Sequence, residues 1–148
     1  MKSARTAVPT WLEAGGICVQ GQDWVDLNIG RIRFTRGAGA TPVLVGMPQD
    51  FFQCLHRGTV FKGSIHVRLK DGSEESMNGS DVFSFSPGYK VWVEEDYKAI
   101  EVSPSVAMGQ VINHLTLQPI CRGRNTSRSQ QPIYPVTICQ TRVERRAV

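Results

Sequence analysis

The chain has 148 residues, 41% of them apolar and 20% charged, the composition of a single globular domain able to bury a core of its own. No run approaches the roughly 18 consecutive apolar residues of a helical membrane span, which excludes that class. The formal charge of +4 is unevenly placed: residues 1–120 hold 11 Lys/Arg against 12 Asp/Glu, whereas residues 121–148 hold six Arg (Arg122, Arg124, Arg128, Arg142, Arg145, Arg146) against Glu144 alone. A near-neutral body speaks against nucleic-acid binding by the folded domain.

Residues 1–22 read as a lead-in punctuated by Gly and Pro, with Thr10–Val19 as one edge strand anchored by Trp11 and Ile17. Pro9 and Glu13 follow Lys2 and Arg5 where an apolar run would be needed, so no signal peptide is expected. With that, Cys18, Cys54, Cys121 and Cys139, which form no C-x-x-C, read as reduced thiols of a cytoplasmic protein. On the same ground, Asn78-Gly79-Ser80 and Asn125-Thr126-Ser127 are chance matches to the glycosylation pattern.

Residues 23–36 read as a longer strand. Val25, Leu27 and Ile29 share one parity, Ile32 and Phe34 the other, and the change of phase at Gly30 predicts a β-bulge. GAGATP is a loop, VLVGM (residues 43–47) a short buried strand and PQD a turn.

From Phe61 to Leu69 the odd positions (Phe61, Gly63, Ile65, Val67, Leu69) are apolar and the even ones (Lys62, Ser64, His66, Arg68) polar, a strand with one wet face. Asp71-Gly72 closes a tight hairpin. Further strands are expected at Asp81–Phe85, Lys90–Glu94 and Ala99–Val102, with Ser86-Pro87-Gly88 as a corner. The one helical signal is residues 104–115, with Ser103 as N-cap, Pro104 in the first position, and Val106, Gly109, Val111, Ile112 and Leu115 as a loose apolar stripe. Many short strands and one helix predict an all-β barrel or sandwich.

Beyond it, residues 121–132 have a disorder-prone composition, and residues 133–143 alternate enough (Val136, Ile138) to suggest a late strand. The tail's Arg cluster reads as solvated; a nucleic-acid role for it would show a steep salt dependence.

Four stretches together resemble the small stand-alone cupins: Gln53-Cys54-Leu55-His56 through Gly63, the Gly79-Ser80-Asp81 corner, Ser86-Pro87-Gly88-Tyr89, and Glu101-Val102-Ser103-Pro104. The resemblance runs from Asp23 to Leu115. It implies an all-β double-stranded β-helix, or jelly-roll barrel, over residues 23–115, with residues 116–148 a basic extension. It also implies a homodimer and an interior pocket for a small molecule. Metal-binding cupins offer two His and a carboxylate from the first motif and a further His from the second. Here His56 remains in the first, and Tyr89 stands at the second-motif position.

A metal site would therefore draw on His56 and Cys54, with Tyr89 as a third group, for one divalent ion (Zn, Fe, Ni or Mn). The reading preferred is a barrel without metal, with His56 hydrogen-bonded inside. No G-x-S-x-G, P-loop, G-x-G-x-x-G or H-E-x-x-H occurs. What is left for catalysis is an acid/base set of His56, Tyr89 and Glu101 with Cys54 beside it. Against this, Glu101 reads as a surface carboxylate paired with Lys98 or Lys90. His66 is expected in solvent, and His114 at the helix end. Trp24 and Trp92 are the candidate pocket walls, with Phe61 and Phe85 as further apolar lining. Two functions follow: a small-molecule-binding cupin, or a cupin-type isomerase, dehydratase, cyclase or oxygenase.

Overall fold

The computed structural model describes residues 8–118. The tail's cysteines, its Arg cluster and the late strand expected there lie outside the described residues. Strands β1 (Thr10–Ala14), β2 (Ile17–Trp24), β3 (Leu27–Phe34), β4 (His56–Lys62), β7 (Val82–Phe85) and β9 (Tyr97–Pro104) form one antiparallel sheet in the order β1-β2-β3-β9-β4-β7. Strands β5 (Ile65–Leu69), β6 (Glu74–Met77) and β8 (Tyr89–Trp92) form a second, in the order β6-β5-β8. Helix α1 (Thr41–Leu44) lies between β3 and β4 in sequence; helix α2 (Ser105–Leu117) follows β9 and packs on β1, β3 and β9.

The period of two explains the core. Ile17 and Val19, Ile32 and Phe34, Tyr97 and Ala99, Val60, Phe83 and Phe85 point inward from the large sheet, and Ile65, Val67, Tyr89 and Val91 from the small one. They meet in one apolar cluster, closed at one side by Met108, Val111, Ile112 and Leu115 of α2. This is the all-β barrel predicted from the strand pattern and the jelly roll that the resemblance implied.

Several local expectations are corrected. Thr10–Val19 is two strands, because the chain turns back at Gly15-Gly16, and β2 continues through Trp24. Residues 23–36 likewise contain a reversal at Val25-Asp26, where Val25 has φ 61°. The change of phase lies within β3, where Leu27 and Ile29 face outward and Ile32 and Phe34 inward; Gly30 sits in an unbroken register opposite Gly21, with no bulge. Residues 43–47 hold the end of α1 rather than a strand, Pro42 starting the turn and Val43 and Leu44 buried beneath it.

Phe61–Leu69 is two strands in different sheets. Gly63, at φ 75°, turns the chain, and a Cβ there would lie 2.3 Å from the Asp96 carbonyl oxygen, so only glycine fits. The register also slips between Val60 and Lys62, which leaves Phe61 62% exposed. Ser103 is no N-cap: it is buried within β9, and α2 begins after Pro104 with no side-chain cap. On α2 the buried positions are Met108, Val111, Ile112 and Leu115, an i, i+3, i+4, i+7 set, whereas Val106 is exposed.

Candidate functional site

His56 opens β4 and points inward opposite Phe85 of β7. Tyr89 opens β8 in the other sheet, where the Ser86-Pro87-Gly88 corner and a bridge to Phe52 hold it: the Phe52 amide donates to the Tyr89 carbonyl at 2.9 Å, and the Gly88 amide to the Phe52 carbonyl at 2.7 Å. Phe52 and Phe85 flank the Tyr89 ring, with centroids 5.2 and 5.1 Å away. So clamped, the Tyr89 hydroxyl meets Nδ1 of His56 across the barrel. On the ring's other side, Nε2 of His56 lies 3.4 Å from Sδ of Met108 on α2. A thioether cannot donate, so the consistent assignment puts the proton on Nε2 and has the tyrosine O–H donate to Nδ1.

Burial governs the ionisation here. It pulls the His56 imidazole down to about 4 and pushes the Tyr89 phenol well above its ordinary value, Glu101's charge adding to the latter. The pair is therefore neutral at neutral pH.

Glu101 enters from β9. Its partners on both neighbouring strands are glycines, Gly30 of β3 and Gly58 of β4, so its side chain has no neighbour's Cβ beside it on the inner face. The residue is half-buried, and it lines the same apolar cavity as His56, Tyr89, Met108, Phe52 and Phe85. Desolvation raises its carboxyl to about 7. The expected pairing with Lys98 or Lys90 does not occur: Lys98 points to the outer face, and the ammonium of Lys90 lies 4.8 Å from the Phe51 ring centroid. A carboxyl of this kind gives and takes protons at neutral pH. The cavity itself is small, about 40 Å³, room for a few waters unless Met108 or α2 yields.

Of the residues singled out in the sequence, His56, Tyr89, Glu101 and Phe85 come together around this cavity. Cys54 does not line it. The thiol is fully buried beside the Ser103 hydroxyl, donates at 3.5 Å to the Leu55 carbonyl, and burial raises it to about 11. Trp24 pairs with Leu27 on the outer face of the large sheet. Trp92 stacks on His66 outside the small sheet, at 5.4 Å with Arg68 over it, so His66 is covered on one side rather than free in solvent. Phe61 is turned outward by the slip in β4. The cavity walls are instead Phe52 and Met108, which no spacing rule singled out; the 108/111/112/115 period was the available signal for the latter.

The donor set does not suit a metal ion. Among the described residues, no three His, Cys, Asp or Glu side chains converge. Both nitrogens of His56 are already engaged, and Cys54 is held as a neutral thiol away from the cavity. His114, by contrast, sits in the last turn of α2 as expected and is 2.9 Å from the Val45 carbonyl.

No protein-family model matches the chain, and no curated protein matches it in sequence. Solved structures do. An RmlC-like cupin from Shewanella frigidimarina superposes with a TM-score of 0.54 at 19% identity, over 70% of this chain and 89% of that one. KdgF from a Halomonas species gives 0.53 at 22%, over 68% and 92%. The polyketide cyclase RemF from Streptomyces resistomycificus gives 0.53 at 14%, over 70% and 78%. At these identities the likeness concerns the fold.

Proposed function

Starting from the cupin fold that this chain has, we propose that it binds a small, largely apolar organic molecule inside the barrel, with Met108 and α2 yielding to enlarge the cavity of about 40 Å³. A single polar group of the guest is recognised by Glu101 and the His56–Tyr89 pair. The observation that carries this reading is Glu101: a carboxyl raised to about 7 in an apolar cavity, flanked by two glycines. An ordinary core would place an aliphatic side chain there, since a buried carboxyl without a partner is costly. Protonated, Glu101 donates to a carbonyl or hydroxyl oxygen of the guest. Tyr89 keeps a lone pair to accept from a hydroxyl while its own proton stays on the His56 bond. The apolar walls supply the rest of the affinity. The free thiols Cys18 and Cys54 among the described residues agree with a reducing, cytoplasmic setting.

The test uses phenol and toluene, which differ by the polar group. Calorimetry should show phenol binding more tightly than toluene, and Glu101→Leu should erase the difference. Equal affinities in the unmodified protein would sink this reading.

The same carboxyl favours a second reading, an enzyme that moves a proton, as in isomerisation, dehydration or cyclisation. At neutral pH, Glu101 is poised between its two forms, the condition for accepting a proton from carbon and returning it elsewhere. RemF, described as a polyketide cyclase, shares the fold. Exchange of the α-protons of cyclohexanone in D2O tests it. Exchange above the buffer rate that disappears in Glu101→Gln supports the enzyme; exchange at the buffer rate counts against it.

A further inference from the structure

The outer face of the large sheet carries charges that the barrel interior does not use. Arg33 of β3 lies directly opposite Lys98 of β9, and Lys98 lies opposite Lys62 of β4. Arg31 is two residues along β3 on the same face, between Gln20 and Ile100. Three cations on directly paired positions of adjacent strands repel one another, an arrangement that costs the sheet stability. None has an ion-pair partner among the described residues, where the one ion pair is Arg68–Glu74 on the small sheet. The described residues nevertheless hold more acidic than basic side chains, so the clustering of cations here is local.

Gln20, Arg31, Arg33, Lys98, Ile100 and Phe61 line one depression of about 280 Å³. Nη1 of Arg31 is buried there without a hydrogen-bond partner among the described residues, an unmet donor of the kind an anion satisfies. Phe61, at 62% exposure, offers a ring face on the same depression.

We infer that this face is a second binding site, for a small phosphorylated organic molecule. Its phosphoryl groups lie among Arg31, Arg33, Lys62 and Lys98, and its ring lies on Phe61. Guanidinium groups match phosphoryl oxygens in a planar fork and stay charged at every physiological pH. Four cations suit a polyphosphate better than a lone carboxylate, and an exposed aromatic side chain is a stacking platform for a base or sugar-borne ring. A bound polyanion also relieves the repulsion between Arg33, Lys98 and Lys62.

Calorimetry on the full chain with ATP and with inorganic tripolyphosphate tests this at low and moderate salt. Both should bind, and raising NaCl from about 50 to about 200 mM should weaken each at least several-fold. R31Q/R33Q should weaken both by about tenfold or more. Phe61→Ala should weaken ATP several-fold and leave tripolyphosphate unchanged. Replacing the six arginines of residues 121–148 by glutamine should change neither by more than about twofold. The inference is overturned if neither probe binds at about 1 mM, if R31Q/R33Q leaves both affinities intact, or if the loss follows the tail arginines. Binding of oligouridylate alone, with neither small probe held, overturns it in favour of nucleic acid.

Discussion

Gly58 lies directly across the β4–β9 pair from Glu101, and no larger residue fits there: a Cβ would fall 2.2 Å from the Ile100 carbonyl oxygen and 2.8 Å from the Phe83 ring. The close approach of the two strands and the space around the carboxyl thus depend on the same glycine. Gly58→Ala should destabilise the barrel by about 1–3 kcal/mol, the usual cost of overpacking, measured by urea unfolding. A neutral substitution would mean that β4 and β9 are further apart than described.

The interior pair Glu101 and His56 gives opposing pH dependences. Glu101 is raised from 4.5 to about 7 on folding, so the native state holds the extra proton between those values, and stability falls as pH rises through them. His56 is lowered from 6.5 to about 4, so the unfolded state holds the extra proton there, and stability falls as pH drops from 6.5 towards 4. Each amounts to at most about 3 kcal/mol, and between pH 4.5 and 6.5 they largely cancel. Glu101→Gln should unmask His56: relative to the unmodified protein, the variant gains stability as pH rises from 4.5 to 6.5. A difference that does not change with pH would show that Glu101 titrates normally in the fold.

Tyr89→Phe removes the one hydroxyl bonded to Nδ1 of His56 and keeps the ring between Phe52 and Phe85. The orphaned ring nitrogen should cost about 1–3 kcal/mol in urea unfolding at pH 7. A loss well under this range would mean that water reaches His56 in place of the hydroxyl.

Met108→Ala should enlarge the cavity beside His56. Large-to-small changes of this kind cost about 2–5 kcal/mol, and the space gained should take up toluene, raising Tm in its presence. Stability lost with no response to toluene would mean that α2 collapses into the gap.

How far the sequence disclosed this depends on how local each determinant is. Alternation at Ile65 and Val67 is a property of one strand, and it marked the inner face correctly. The Asp71-Gly72 turn was legible in its own two residues, and His56 and Tyr89 could be grouped only through the resemblance of their two separate stretches to cupin motifs. Alternation failed where the chain reversed inside a run read as one strand, at Val25-Asp26 within the large sheet and at Gly63, where the chain passes into the small one. Phe61 was lost to the register slip between Val60 and Lys62 in β4.

Glu101 was harder. Nothing near it in sequence distinguishes a surface carboxylate from a buried one; the distinction lies in Gly30 and Gly58, dozens of residues away, which become its neighbours only by sheet pairing. The outer-face cations were hidden in the same way. A body with almost no net charge concealed Arg33, Lys98 and Lys62, which come from three separate strands.

The most direct test of an acid/base-equipped interior is a 13C NMR titration of the glutamate side-chain carboxyls, with the Glu101 resonance assigned by its disappearance in Glu101→Gln. Burial in the cavity predicts a midpoint near 7. A midpoint near the ordinary value of about 4.3 would place the carboxyl in water and contradict the account.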